Sequence, residues 1–247
     1  MADVWDGIWK DFEFEKGYKD TADNINAYYF MRDYFKGRKG QKILEVGCGT
    51  GLTALILAEK YGLRPYLLDA SSESVRICRR NAKSLKIKAA VVKAYAQKLP
   101  FPDGYFDICL SGGLLEHLSA AGRLKALQEM CRVSKDLVVV IVPNAHNLPY
   151  RIGKFWRELL GKWVYGRENP LSKGEFRQLM KKCNTEVESH RIFGVKFRES
   201  LAWPLPKTDR FIKSLRGKSV LDNFGCELVL IVKKSKLKRS KKASPRG

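Results

Sequence analysis

Between Gln41 and Pro143, short apolar runs alternate with stretches whose apolar residues recur at helical spacing. The runs Lys42 to Val46, Pro65 to Leu68, Ala89 to Val92, Phe106 to Leu110 and Leu137 to Val142 are mostly continuous in apolar character. Short continuous runs suit strands covered on both faces, as in a parallel sheet. Gly51 to Tyr61, Ser72 to Leu85 and Ala120 to Val133 read as the crossover helices between them. Alternation of this kind predicts an α/β domain built on a parallel sheet.

The flanks carry different patterns. Trp5, Trp9, Phe12, Phe14, Tyr18, Tyr28, Tyr29, Phe30, Tyr34 and Phe35 all precede the first strand. Such a segment packs as a cap on the core, closes as a lid over a site, or does both. Beyond Pro143 an amphipathic helix is predicted over Tyr150 to Val164, carrying Phe155, Trp156, Leu159, Leu160 and Trp163. Ser172 followed by Glu175 forms a capping-box pattern ahead of Phe176, Leu179 and Met180. Strands near Val187 to Phe193 and Glu227 to Val232 would complete the sheet. The resulting plan has a cap segment over 1–40 and an α/β domain over 41–232. That domain has a helical insertion at 144–171, a second insertion at 194–224, and a disordered basic tail at 233–247.

A length of 247 residues suits one such domain with appended elements. The net charge of +21 is concentrated at the end, where residues 233–247 hold eight lysines and arginines and no carboxylate. That segment has too little apolar content to fold alone, and it reads either as a solvated arm or as one that attracts nucleic acid or an anionic surface. No apolar run approaches the roughly 20 residues of a membrane-spanning helix. Asp3 and Asp6 stand where a signal peptide would be basic, so a cytoplasmic protein is expected. Cys48, Cys78, Cys109, Cys131, Cys183 and Cys226 are scattered singly and read as reduced, buried thiols. His146 and His190 have no metal-ligand spacing, and no metal is assigned.

The chemistry concentrates after the first strand, in Glu45-Val46-Gly47-Cys48-Gly49-Thr50-Gly51. Glycines in a strand-to-helix turn allow backbone angles that other residues avoid and let a ligand lie against the main chain. A dinucleotide fingerprint would place Gly or Ala where the chain has Leu52, and the Gly-Lys-Ser/Thr of a phosphate-binding loop is missing. Asp69 follows the second strand, where a carboxylate can accept hydrogen bonds from both hydroxyls of an adenosine ribose, or can cap the helix that begins at Ser72.

Together with Leu99-Pro100-Phe101-Pro102-Asp103-Gly104-Tyr105-Phe106-Asp107 and Leu115-Glu116-His117-Leu118, these segments resemble the motifs of class I S-adenosylmethionine-dependent methyltransferases. Within that superfamily the likeness is nearest to the ubiquinone/menaquinone-biosynthesis type, and it covers residues 41 to 143 best. The resemblance implies a doubly wound α/β fold, a seven-stranded, mostly parallel sheet of Rossmann-like methyltransferase type. It also implies an N-terminal helical cap and a helical insertion after the fifth strand, with S-adenosyl-L-methionine as cofactor. Gly47, Gly49 and Gly51 would shape the loop against the methionine part, Glu45 would hold its amino group directly or through water, and Asp69 would take the ribose. Cys48, Ala70 and Ser111 would lie beside the same cofactor. The family's acidic adenine acceptor is replaced by Ala94-Tyr95-Ala96-Gln97, so Tyr95 would pack on the ring, or Gln97 or the backbone of Ala96 would read its edge.

Methyl transfer asks mainly for alignment, and a base only when the acceptor keeps its proton at neutral pH. His117 is the candidate base, with lining of the pocket as its alternative role. Ser111-Gly112-Gly113-Leu114 replaces the Asn/Asp-Pro-Pro-aromatic motif of amino-methylating enzymes, and the Pro-Cys nucleophile of 5-methylcytosine chemistry is missing. A small-molecule acceptor is therefore the first expectation. RNA ribose or protein as acceptor, with nucleic acid drawn by the basic tail, is the second, and a catalytically silent cofactor-binding subunit is the third.

Overall fold

The computed structural model describes residues 2–10, 12–27, 29–183, 187–195 and 224–234. Three short helices, α1 (Ala2–Trp9), α2 (Phe14–Ala27) and α3 (Tyr29–Phe35), lead into the sheet. Alternation follows: β1 (Lys42–Val46), α4 (Leu52–Tyr61), β2 (Arg64–Asp69), α5 (Ser72–Ser84), β3 (Ala90–Lys93), β4 (Phe106–Gly112), α6 (Ala120–Val133) and β5 (Ser134–Pro143). Helices α7 (Leu148–Leu159) and α8 (Lys173–Cys183) then precede β6 (Val187–Val195) and β7 (Glu227–Lys234).

The strand order is β3-β2-β1-β4-β5-β7-β6. Strands β1 to β5 pair in parallel, and β7 runs antiparallel between β5 and β6. This is the doubly wound, seven-stranded, mostly parallel sheet expected from the sequence. Alternation along the strands sorts the core into two layers. Leu44, Val138 and Val140 face Ala126, Met130 and Phe176 of α6 and α8, whereas Ile43, Val139 and Ile141 face Phe35, Leu52 and Ile56 of α3 and α4. Both faces of the central strands are covered, which is why these strands read as continuous apolar runs, whereas the edge strands β3 and β6 are largely exposed.

Several boundaries shift by one to five residues from the pattern-based expectation, and three of the shifts have a visible physical cause. The helix expected to reach Val164 stops at Leu159, because Gly161 turns left-handed at φ 65°. The Lys162 amide then donates to the Arg157 carbonyl and the Gly161 amide to the Glu158 carbonyl, a Schellman ending. Strand β5 starts earlier than Leu137, at Ser134, which registers with Phe106. Strand β7 runs past Val232 into the basic run, and Lys234 Nζ donates to the Cys131 and Ser134 carbonyls at the end of α6. The capping box forms reciprocally: the Ser172 amide donates to Glu175 Oε2 at 2.7 Å and the Glu175 amide to Ser172 Oγ at 3.2 Å. Of the expected second insertion, residues 196–223 lie outside the described residues, as does the basic segment from 235 onward.

Candidate active site

Beyond the carboxyl end of β1 the chain must turn sharply into α4. Gly47 and Gly49 do so at φ 67° and 53°. A Cβ on Gly47 would stand 2.8 Å from Leu114 Cδ1, and one on Gly49 2.8 Å from Trp9 Cζ2. Backbone angle and neighbours therefore both exclude a side chain. The loop is pinned to β2, since the Gly47 and Cys48 amides donate to the Leu68 carbonyl at 2.8 and 3.0 Å.

Asp69 ties the loop to the next turn. Its Oδ2 accepts from the Gly49 amide at 2.8 Å and its Oδ1 from the Ser71 amide at 2.9 Å. A carboxylate oxygen can accept more than one bond, so each keeps capacity for a hydroxyl. Burial raises the Asp69 pKa, and the amides of Ser71, Gly49 and Ala70 oppose the rise.

Glu45 is more deeply placed, 5% exposed, and its Oε2 accepts from the Ala54 amide at 2.9 Å. Burial pushes its carboxyl up to about 7, against the pull of the Ala54 amide and the Thr53 hydroxyl. A carboxyl held near neutrality under a glycine loop is poised to ionise when a cation comes beside it.

At the other end, a 3-10 turn over Leu115–His117 follows β4. Arg123 staples this turn, its Nε donating to the Leu115 and Leu118 carbonyls at 2.9 and 3.1 Å. His117 Nδ1 lies 3.0 Å from the Arg167 carbonyl. A carbonyl only accepts, so Nδ1 carries the proton and Nε2 presents its lone pair. Burial lowers the His117 pKa, with Lys154 and Arg123 adding to the fall against the Arg167 bond. Nε2 stands 4.0 Å from Glu116 Oε1. Burial drives Glu116 up to about 8, helped by the charges of Glu168 and Glu227. Its Oε2 is buried without a hydrogen-bond partner among the described residues. Nearby, the Tyr150 hydroxyl donates to Glu168, whose own pKa is raised chiefly by burial.

One cavity of about 730 Å³ joins the two ends. Helix α1 closes part of it: Trp9 lies on Gly49, and Trp5 meets the His117 ring edge-on at 4.9 Å. Asp6 holds α1 in place by accepting from the Ser71 hydroxyl and from the Glu73 amide at the start of α5. The aromatic N-terminus thus divides its work, with α1 over the cavity and Met31 and Phe35 of α3 buried in the core.

Of the residues singled out in the sequence, Glu45, Gly47, Cys48, Gly49, Asp69, Ala70, Tyr95, Ala96, Gln97 and His117 line this cavity. Gly51 and Ser111 do not line it. Gly51 faces the core, where a Cβ would meet Leu67 Cδ1 at 2.7 Å and Cys78 Sγ at 2.9 Å. Ser111 is fully buried in β4. No disulfide forms among the described residues, though Cys48 and Cys78 bring their sulfurs within 3.5 Å beneath the loop. Sequence reasoning gave no role to Glu116, Tyr150, Lys154 or Glu168, which also line the cavity. Glu116 was visible inside the Leu-Glu-His-Leu motif; the others carry no local signal.

Residues 43–136 match the family described as methyltransferase domain. The chain is 35% identical over 112 residues to ajmaline N-methyltransferase of Rauvolfia serpentina, covering 44% of this chain and 38% of that one. It is 32% identical over 127 residues to the ubiquinone/menaquinone biosynthesis C-methyltransferase of Chromobacterium violaceum, covering 49% and 47%. The matched region thus spans less than half the length of these curated relatives. Magnesium protoporphyrin IX methyltransferase from Synechocystis PCC 6803, solved with bound SAH, superposes with a TM-score of 0.60 over 94% of both chains at 13% identity, a likeness of fold. The glycine turn, the strand order and these matches together support a class I S-adenosylmethionine-dependent methyltransferase domain, matched over residues 43–136.

Proposed function

We propose that the chain transfers the methyl group of S-adenosylmethionine to a small-molecule acceptor enclosed between the sheet, α1 and α7. The observation that carries this reading is the single cavity linking Asp69 and the glycine loop to His117 under Trp5 and Trp9. Its volume of about 730 Å³ lies within the roughly 300–1,000 Å³ of small-molecule sites. A roof of this kind favours a compact acceptor over a nucleic-acid strand.

The donor set fits the cofactor. Glu45 supplies a buried carboxyl for an ammonium group, Asp69 supplies acceptor capacity for ribose hydroxyls, and Gly47 and Gly49 leave space for a ligand against the backbone. Adenine would lie against Tyr95, Ala96 and Gln97, which line the same cavity. When bound, S-adenosylmethionine supplies an electrophilic methyl on a sulfonium sulfur. The protein's own share is alignment, exclusion of water by α1, and removal of a proton where the acceptor carries one.

For that last task His117 presents an unprotonated Nε2, because Nδ1–H is engaged by Arg167 and its pKa is depressed. Binding of S-adenosylhomocysteine by calorimetry tests the cofactor half of the reading. Transfer of labelled methyl into a fractionated extract tests the acceptor half, and label found in RNA or protein would overturn it.

A further inference from the structure

Helix α7 is inverted relative to an ordinary surface helix. Tyr150, Lys154 and Arg157 line the cavity, and none of the residues of α7 is buried. Leu148, Ile152, Phe155, Trp156 and Leu159 fall on the opposite face at i, i+4, i+7, i+8 and i+11, and with Leu160 and Val164 each is between 49% and 65% exposed. A helix normally turns its apolar stripe to the core. Here the polar stripe faces inward and the apolar stripe faces out, a continuous patch of the kind that marks an interaction site.

Charge and residue type select the partner. Of the cations between Leu148 and Val164, Lys154 and Arg157 face the cavity, so the exposed Arg151 and Lys162 flank the outward face, and the one carboxylate of the segment, Glu158, pairs with Lys154. The apolar face itself contains no carboxylate, and Phe155 and Trp156 lie edge to face at its centre. An apolar stripe with aromatic residues and basic flanks is the composition of a helix that lies in the headgroup region of a membrane. The net charge of +21 adds long-range attraction to an anionic surface.

We propose that the outward face of α7 docks on an anionic phospholipid bilayer, so that this helix forms the wall between the membrane and the cavity. The inference stands apart from the methyl-transfer reading, since vesicle binding is read without cofactor or acceptor. It also extends that reading, because a cavity walled by an interfacial helix suits an acceptor that partitions into lipid.

Co-sedimentation of the full chain with phosphatidylcholine vesicles, with and without phosphatidylglycerol, tests it. Binding is expected to the anionic vesicles, to weaken with salt, and to fall at least about tenfold in Trp156→Glu, whose melting temperature and S-adenosylhomocysteine affinity stay unchanged. Trp156→Phe should keep the binding but remove the part of the fluorescence quenching by brominated acyl chains that Trp156 contributes. Residues 235–247 are present in every variant, so equal binding by Trp156→Glu would assign the attraction to other cations and overturn the proposal. Failure of the wild type to bind anionic vesicles would also overturn it, as would self-association through this face that Trp156→Glu abolishes.

Discussion

Lowering the pH below neutrality should weaken binding of S-adenosylhomocysteine, and Glu45 is the group responsible. In the ligand-free protein burial holds this carboxyl at about 7, so at lower pH it is mostly protonated. A ligand ammonium beside it favours the ionised form, so binding below neutrality must first release the proton. The cost is RT ln(1 + 10^(pKa − pH)), which makes affinity fall about tenfold per pH unit below about 7. Between about pH 7.5 and about pH 5 the expected loss is roughly 80-fold. The sign is opposite for the stability of the empty protein. The folded pKa lies above the ordinary carboxylate value of 4.5, so this group's contribution is fully present below that value and is lost as pH rises through about 7. That loss is worth about 3 kcal/mol. Calorimetry across this pH range, in buffers of different ionisation enthalpy, reads both affinity and proton release. Glu45→Gln keeps an acceptor for the Ala54 amide but cannot ionise, so its affinity should be lower at about pH 7.5 and flat below. A flat profile in the wild type, or an equal slope in the Gln variant, would refute the assignment.

Other substitutions separate binding, folding and catalysis. Asp69→Ala should weaken the same ligand by about 1.5–3 kcal/mol through lost charged hydrogen bonds, and should lower the melting temperature because the Gly49 and Ser71 amides lose their acceptor. Gly51→Ala should instead cost about 1–3 kcal/mol of stability, measured by denaturant unfolding, because its Cβ meets Leu67 and Cys78 in the core. Ligand affinity of the folded Gly51→Ala protein should stay near the wild-type value. His117→Ala should leave calorimetric cofactor affinity nearly unchanged and slow turnover on the true acceptor by on the order of 100-fold, with the acidic limb of the rate profile removed. A loss of only a few fold would make His117 a wall of the pocket.

The central strands β1, β4, β5 and β7 were legible because they are buried on both faces and therefore nearly continuously apolar; β1 begins and ends where the pattern places it. Errors arose where polar residues serve the sheet. Lys135, beside the early start of β5, pairs with Asp107 at 2.9 Å, and Lys234, read as tail, caps carbonyls at the end of α6. The end of α7 was written in Gly161, a stop signal that the run of aromatic residues overshadowed. The glycine turn and Asp69 were legible as a candidate site, and Gly51 shows that a motif glycine can face the core instead of the cavity. At the other end of the cavity His117 was legible, but its company with Trp5, Tyr150 and Glu168 was not, because these come from separate elements that only the folded chain brings together.

The most direct test of the whole account is transfer of labelled methyl from S-adenosylmethionine into a cell extract separated into small-molecule, RNA and protein fractions, with and without ribonuclease. The structure leads us to expect label in the small-molecule fraction, insensitive to ribonuclease and, at subsaturating cofactor, reduced with Asp69→Ala. Label in RNA that ribonuclease removes, label in protein, or no transfer by a protein that binds the cofactor would contradict the proposed function.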